Sequence, residues 1–368
     1  MDLALPSSRR LGEQLALVVP TVFALAVSAA LVSIVLAALG ASPIGVAAAL
    51  AQGAFGNWFA STDTLVKATP LIFTGLAISV AFSGALWNIG ADGQLVIGAI
   101  AAGAIGPSLD GWPRAVAIAI VLVAGAIGGA LWGGICGWLR ARRGTNEVIS
   151  TIMLNFVAMQ VLSWTVHGPL MEPSRAYPQS IPIAPSAEMY MMAPTRLNLG
   201  MLLAVALAIA CYLFLFRSKI GYELRAVGKN RRAATFFAFP IARLTVLGMA
   251  LSGALAGLGG ALQISAINHR LFEKISPGWG YEAIAVALVA RLNPIAIVFT
   301  AVFFGALDNG SQAMQRAEGV SPVLVQVIQA MVIIVLLCFD TRAFGVIRDA
   351  FGSATVAPAI PAGELPDA

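Results

Sequence analysis

Long apolar runs without a charged residue recur along the chain and are separated by short polar segments. A helix of about 20 mostly apolar residues is long enough to cross the hydrocarbon core of a bilayer. The third of these runs is short and rich in glycine, which indicates a bent or incomplete helix. We predict membrane-spanning helices at Leu15–Leu39, Ala68–Trp87, Gly93–Leu109, Ala115–Leu139, Val148–Val166, Leu197–Phe216, Leu244–Asn268 and Gly319–Phe339.

The first apolar run follows Arg9 and Arg10, an arrangement that a secretory signal peptide also has. The apolar core of a signal peptide is about 7–15 residues long and ends at a cleavage site with small residues. The run Leu15–Leu39 is longer than that and shows no clear site of this kind. We interpret it as a first membrane helix that stays in the protein.

The region from Glu282 to Leu307 does not fit a single span. Only eight uncharged residues separate Glu282 from Arg291, and Asn293-Pro294 interrupts the pattern before the apolar run Ile295–Leu307. An arginine and a proline in the middle of one helix would be costly in lipid. We therefore predict two short helices that meet at Arg291–Pro294, either as two crossings or as a re-entrant hairpin.

The composition agrees with a membrane protein and excludes a set of soluble domains. Hydrophobic residues form 59% of the 368 residues and charged residues 11%, and the mean hydropathy is +0.88. Soluble chains carry about 25% charged residues. The predicted fold class is thus an all-α polytopic membrane protein with 8–10 transmembrane helices, two of its elements being broken or short helices.

The basic residues are better explained by membrane topology than by nucleic-acid binding, although the net charge is +5. Lys and Arg accumulate on the cytoplasmic side of membranes. With both termini in the cytoplasm, 15 of the 22 Lys and Arg residues lie inside. We predict a cytoplasmic N-terminus (residues 1–14), a transmembrane domain (15–340) and a largely disordered cytoplasmic tail (341–368), with an external loop at 167–196 and a cytoplasmic loop at 217–243.

A polar segment, Trp87–Gln94, lies between the second and third apolar runs and contains two glycines and several amide and carboxyl side chains. Irregular backbone survives in lipid only where protein buries it or where it lines a water-filled cavity. Broken helices of this kind form binding sites in transporters. A short cytoplasmic turn is the alternative. The segment Gly280–Pro294 has the same layout, which suggests a weak internal repeat around a central path.

The basic loop from Ser218 to Ala234 carries an apolar face beside its charges, including Tyr222, Leu224 and Val227. An amphipathic helix of this type can lie in a groove on a cytoplasmic partner. A solvated loop is the alternative. Glycines spaced four residues apart in two of the predicted spans, at 125, 129, 133 and 137 and at 253 and 257, predict close packing of helix backbones.

Four stretches resemble a known family: Trp87–Gly98 (WNIGADGQLVIG), Gly144–Asn155 (GTNEVISTIMLN), Gly221–Ala234 (GYELRAVGKNRRAA) and Gly278–Gly305. The chain resembles the permease subunits of bacterial ABC importers in the ribose and branched-chain amino acid permease superfamily. Within it, the chain is similar to the nucleoside, or "simple sugar", branch that occurs with basic-membrane-protein-type lipoproteins. The resemblance covers most of the chain.

This resemblance implies a multi-pass protein of the bacterial inner membrane that works by alternating access. It implies three protein partners: a second permease subunit, identical or related, an extracytoplasmic substrate-binding protein or lipoprotein, and a cytoplasmic ABC ATPase. The chain itself has no P-loop, so we expect ATP to be hydrolysed by the partner. The residues implied in coupling to that ATPase are Gly221, Arg225, Gly228, Asn230, Ala233 and Ala234.

We predict a permease subunit for nucleosides or related purine and pyrimidine compounds, with no catalytic residue, cofactor or metal. Aromatic stacking and amide hydrogen bonds would bind such solutes. The candidate path residues are Asn88, Asp92, Gln94, Asn155 and Asn293, with Phe82 and Trp87 as apolar walls. The alternatives are a permease for monosaccharides or another small polar solute, an ion-coupled secondary transporter, and a membrane enzyme acting on lipid.

Overall fold

The computed structural model describes residues 26–38, 40–192 and 194–339. Within these ranges the regular structure is helical, and the only β-pairing is in isolated bridges. The predicted all-α class is confirmed. The helices are α1 (Ala26–Ala38), α2 (Pro43–Phe55), α3 (Trp58–Ser83), α4 (Ala91–Ile105), α5 (Arg114–Arg143), α6 (Glu147–His167), α7 (Leu199–Arg217), α8 (Lys219–Lys229), α9 (Arg231–Phe236), α10 (Ile241–Gln263), α11 (Trp279–Val289), α12 (Pro294–Glu318) and α13 (Val323–Phe339).

Six of the described helices are long and apolar enough to cross a membrane: α3, α5, α6, α7, α12, and α10 with the π-helical turn that extends it to Asn268. A seventh results if α1 and α2 count as one broken span. The chain is therefore a polytopic membrane protein, as predicted. The total of 8–10 crossings and the side on which each terminus lies stay predictions, and residues 1–25 and 340–368 lie outside the described ranges.

The chain divides into two compact units. In the described ranges, the first unit contains α1 and the part of α13 from Gln326 onward. The second unit, Ala41–Val325, contains all of the helices from α2 to α12 and all of the predicted site residues.

Two helices extend beyond the apolar runs that predicted them. Helix α3 begins at Trp58, ten residues before the predicted Ala68, and α12 continues to Glu318, well beyond the predicted Leu307. The charged residues that interrupt these runs pair with each other, because Lys67 of α3 lies 2.8 Å from Asp308 of α12. The second half of the 282–307 element, α12, is consequently a full-length helix and not a short one. Helix α2 was not predicted from the sequence.

Helix α3 is the centre of the bundle, and α4, α10, α11 and α12 pack around it. Helices α5 and α10 pack closely against each other. A Cβ atom added to Gly129 would lie 2.1 Å from the carbonyl oxygen of Gly253, and one added to Gly257 would lie 2.3 Å from that of Gly125. The two backbones touch along the predicted glycine positions, which confirms their packing role.

The loop between α6 and α7 is held against the ends of α4, α5 and α10. The Met189 N–H donates to the carbonyl of Ser265, and the Ile183 N–H donates to that of His269. The Arg114 guanidinium donates to the carbonyls of Glu188 and Met189. The loop therefore has a fixed position, although its regular structure is limited to one short 3-10 turn and isolated bridges.

Candidate functional site

Helix α3 ends in a turn that directs the chain back into the bundle. The Leu86 N–H donates to the carbonyl of Ala81 (3.1 Å), and the Ala85 N–H donates to that of Phe82 (2.9 Å). This pair of bonds is a Schellman motif, with Ala85 in the left-handed conformation at φ 52°. The predicted break in the helix is thus present and begins at Ser83.

Asn88 is the centre of the broken segment and is completely buried. Its Nδ2 donates to Gln94 Oε1 (2.9 Å) and to Ser252 Oγ (2.8 Å), and its Oδ1 accepts from the Gly90 N–H (2.9 Å) and from Gln94 Nε2 (3.1 Å). The Ser252 hydroxyl donates in turn to the carbonyl of Ala77 (2.6 Å). Both amide hydrogens and the oxygen of Asn88 therefore have protein partners.

These bonds place the break inside the bundle and not at its surface. Ala77 lies six residues before the end of α3, about 9 Å along the helix axis. Ser252 lies eleven residues after the start of α10, near its middle. Asn88 is bonded to Ser252 and, through the Ser252 hydroxyl, linked to Ala77, so the chain has returned by that distance before α4 begins. Helix α4 starts in the interior of the bundle, which explains its length of only 15 residues.

The second break, after α11, is built in the same way. The Leu292 N–H donates to the carbonyl of Ala287 (2.8 Å) and the Arg291 N–H to that of Leu288 (2.9 Å), and Arg291 has a φ of 52°. Ser79 Oγ donates to the carbonyl of Leu292 (2.6 Å), which places this break one turn from the end of α3. The predicted interruption at Arg291–Pro294 is confirmed.

Helices α4 and α11 run in opposite directions from a common starting region. Asp92, in the first turn of α4, contacts Gly280, in the first turn of α11. Helix α4 ends beside the α6–α7 loop, where the Gly106 carbonyl accepts from the Ala184 N–H (3.2 Å). Helix α11 ends at the other end of the bundle, where the carbonyl of Leu292 accepts from Ser79 near the end of α3. We call the place where the two half-helices start the half-helix junction, formed by Asp92, Asn155, Ser276, Gly280 and Tyr281.

Asn155 of α6 ties the first break to α11. Its Oδ1 accepts from the Gly93 N–H (2.8 Å), and its Nδ2 donates to the carbonyl of Ile89 (2.9 Å) and to the hydroxyl of Tyr281 (2.9 Å). Thr151, one turn earlier on α6, accepts from the Ile89 N–H (3.3 Å). Of the predicted path residues, Asn88, Asp92, Gln94 and Asn155 are thus brought together, each at most 3% exposed.

The other three predicted path residues lie outside this cluster of buried side chains. Phe82 and Trp87 contact each other at the start of the break, with ring centroids 4.8 Å apart, and both are partly buried. Asn293 caps the start of α12, where its Oδ1 accepts from the Ile295 N–H (3.0 Å). Solute contact by any of the seven residues stays a prediction, and the structure gives each of them a contact within the protein.

The basic loop between α7 and α10 folds into α8 and α9, as its amphipathic pattern predicted. One side of α8 rests on the bundle. A Cβ added to Gly221 would lie 2.0 Å from the Phe214 carbonyl oxygen, and one added to Gly228 would lie 2.4 Å from that of Ser83. Leu224, between them, is buried. Helix α8 therefore touches the turn with which the first break begins.

The remaining residues predicted for ATPase coupling have local roles in this loop. Arg225 Nε donates to the carbonyl of Leu215 (2.8 Å), and its guanidinium carbon lies 4.7 Å from the centre of the Phe216 ring. Asn230 Oδ1 caps α9 by accepting from the Ala233 N–H (3.0 Å). Ala234 is buried, whereas the neighbouring side chains that reach outward are Arg231, Arg232, Thr235, Phe236 and Phe237.

One carboxylate on the loop between α6 and α7 has a perturbed pKa. The Ser174 hydroxyl and the Gln179 amide donate to Glu172, and these bonds, together with the charge of Arg270, hold the pKa of Glu172 below its usual value of 4.5. Glu172 therefore stays ionised in mildly acidic solution and fixes the start of this loop.

The predicted site residues did not include Thr151, Ser252 or Ser276, and Gly280 was predicted only as the start of the segment Gly280–Pro294, although each of the four contacts a predicted residue. Ser and Gly are common in membrane helices as packing residues, so their type alone gives no signal. Their partners are distant in sequence; Asp92 and Gly280 are separated by 188 positions. A pattern read along one chain does not show such pairs.

The chain is similar in sequence to known transport proteins. The family described as "Branched-chain amino acid transport system / permease component" matches residues 60–337. The chain is 31% identical to the glucose ABC transporter permease protein of Haloferax volcanii, over 92% of this chain and 91% of the relative. It is 32% identical to the guanosine ABC transporter permease protein of Bacillus subtilis, over 78% and 83%. It is also 32% identical to a nucleoside ABC transporter permease protein of Lactococcus lactis, over 82% and 85%. No solved structure matches the chain.

Proposed function

The chain belongs to the family of branched-chain amino acid transport system permease components and is a multi-pass membrane permease subunit of an ABC transporter, and from this premise we propose that it forms an import path for nucleosides. It is a transporter subunit and not an enzyme. The proposal adds the solute, a separate ATPase as the source of energy, and the regions that contact each partner.

The position of α8 is the observation that supports the proposed coupling to an ATPase. Its inner residues, Gly221, Leu224 and Gly228, rest on α7, α10 and the end of α3. Its outer residues include the strongly exposed Lys219 and Tyr222. A helix that contacts the bundle on one side and offers a mixed basic and aromatic side to a partner can transmit a movement of that partner. We propose that a cytoplasmic ATPase docks on this outer side.

The two half-helices support a translocation path beside the junction. Discontinuous helices in transporters place polar backbone groups in the membrane interior, where a solute can be bound and released. Here α4, α6, α10 and α11 meet at buried amides and a carboxylate. We propose that the path passes this region, that a second permease subunit completes it, and that an extracytoplasmic binding protein delivers the solute. Nucleic acid is not among the proposed partners.

Two classes of solute are candidates for the transported compound. Nucleosides are favoured because two relatives are named for guanosine or nucleoside transport and because the partly buried Phe82–Trp87 pair offers a surface on which a base can stack. A monosaccharide is the second candidate, because the relative from Haloferax volcanii is named for glucose. Aromatic rings also pack against sugars, so the ring pair alone does not separate the two.

The test is uptake by proteoliposomes that contain the permease pair, the ATPase and the binding protein, with radiolabelled guanosine and glucose offered in parallel. We expect ATP-dependent accumulation of guanosine that an excess of unlabelled nucleoside suppresses and an excess of glucose does not. Accumulation of glucose alone would replace the proposed solute by the second candidate. Uptake that follows an ion gradient without ATP would instead identify a secondary transporter.

A further inference from the structure

We propose that Asp92 is a positioning residue that joins the starts of α4 and α11, so that the two half-helices move as one element, and that it does not itself bind the solute. The inference rests on the proposed function only in its expected effect on uptake. The sequence predicted Asp92 as part of the solute path, and the contacts of its carboxylate argue for the different role.

The first turn of α11 lacks a capping side chain of its own. The residue before it is Gly278, which has no side chain and has a φ of 109°. The backbone N–H groups at the start of a helix need acceptors from outside the helix. Asp92 Oδ1 supplies one, because it accepts from the Gly280 N–H at 3.0 Å. A residue of α4 therefore caps α11.

Ser276 extends this cap. Its hydroxyl donates to Asp92 Oδ1 (2.7 Å), and its oxygen accepts from the N–H groups of Gly278 (3.2 Å) and Trp279 (3.3 Å). The carboxylate and the hydroxyl together satisfy three backbone N–H groups at the start of α11. If Asp92 moved away, Ser276 would lose its acceptor and the first turn of α11 would lose its link to α4.

The backbones at this point are also in contact. A Cβ atom added to Gly280 would lie 2.1 Å from the Asp92 nitrogen and 2.4 Å from its Cα. The two helix starts are therefore packed directly against each other, and the hydrogen bonds fix their register. Asn155 adds a second link, since it bonds both Gly93 of α4 and Tyr281 of α11.

Electrostatics favours a carboxylate here. The amino-terminal end of an α-helix carries about half a positive charge, and a negative side chain nearby is stabilised. Two such ends meet at Asp92, and its side chain is 1% exposed. The carboxylate of Asp92 therefore compensates the partial positive charges of both helix ends, and no charge from a solute is needed. The carboxylate oxygen that faces α11 is thus already occupied by Ser276 and Gly280.

The experiment measures backbone hydrogen exchange in the segment 276–284 and, in parallel, the kinetics of solute uptake. The full-length permease is reconstituted in nanodiscs for exchange and in complete proteoliposomes for uptake. The variants are Asp92→Ala, Asp92→Asn, which keeps an oxygen acceptor, and Ser276→Ala. Asp110→Ala, at an exposed carboxylate, is the matched control.

In Asp92→Ala we expect the amides at the start of α11 to exchange about tenfold faster or more, because a hydrogen bond to a charged acceptor is lost. We expect the maximal uptake rate to fall while the KM for the solute stays unchanged. Asp92→Asn should lie between this variant and the wild type, Ser276→Ala should speed exchange at Gly278 and Trp279, and the control should change neither quantity.

Unchanged exchange in both Asp92→Ala and Ser276→Ala would overturn the proposal. A raised KM with unchanged exchange would also overturn it and would restore Asp92 as a solute ligand. If Asp92→Ala does not fold, unchanged exchange in Ser276→Ala decides against the proposal. Failure of the wild type to carry nucleosides would refute the proposed solute alone, because the exchange measurement does not depend on the solute.

Discussion

Replacing Gly228 with alanine tests whether α8 is in direct contact with the first helix break. The added methyl carbon would lie 2.4 Å from the carbonyl oxygen of Ser83, 2.9 Å from the carbonyl carbon of Gly84 and 3.0 Å from the nitrogen of Ala85. All three are backbone atoms, which a side-chain rotation cannot move. To reach ordinary van der Waals separation, α8 must move away from the turn by about 1 Å.

Two opposing effects set the size of the change. Overpacking of this kind costs about 1–3 kcal/mol, while Gly→Ala within a helix gains about 1 kcal/mol from propensity. Gly134→Ala in α5 isolates the second effect, because its new methyl group would approach only the Cβ of Ala250, at 3.9 Å. The stability difference between the two variants should therefore be about 1–3 kcal/mol, with Gly228→Ala the less stable.

The assay compares the thermal unfolding midpoints of the two purified variants and the number of solute molecules taken up per ATP hydrolysed by the reconstituted transporter. We expect Gly228→Ala to unfold at a lower temperature and to transport less per ATP, because the displaced α8 no longer presses on the Ser83–Ala85 turn. If Gly228→Ala is as stable and as well coupled as Gly134→Ala, the contact between α8 and the break has no role in transport.

Three further substitutions have defined outcomes. Ser252→Ala leaves an amide hydrogen of Asn88 without its acceptor in a buried site, so we expect a loss of about 1–3 kcal/mol in unfolding free energy, which a denaturation curve can measure. Arg225→Lys removes the planar group that bonds α7, so protease cleavage within α8 should become faster. Glu172 has a lowered pKa, so its contribution to loop order should be complete above pH 4.5, decrease below that pH and be lost as pH falls through the lowered value. Exchange in residues 171–180 followed against pH checks this, and Glu172→Gln should abolish the dependence.

The sequence was sufficient for features that depend on local pattern. Polar residues and glycines between apolar runs predicted the break before α4, and Asn293-Pro294 predicted the break before α12. The amphipathic pattern of the basic loop predicted α8. In each case the signal lies within one or two helical turns, which is the range over which hydrophobic periodicity and helix-breaking residues act.

Features that depend on distant pairing could not be predicted. Lys67 and Asp308 each appeared to end an apolar run, because nothing in the sequence shows that they pair across α3 and α12. The opposite directions of α4 and α11 follow from contacts such as that of Asp92 with Gly280. The predicted coupling residue Gly228 faces the bundle for the same reason, since only packing decides which side of an amphipathic helix meets the protein.

In the proposed function, this chain forms a path through the membrane, and a separate ATPase that binds α8 supplies the energy for transport. The most direct measurement is accumulation of labelled guanosine in proteoliposomes that contain the permease either alone or with the ATPase, the second permease subunit and the binding protein. We predict that guanosine accumulates above its external concentration only in the complete assembly, with ATP supplied on the side of the membrane where the ATPase is bound. Accumulation against a gradient by this chain alone would contradict the account.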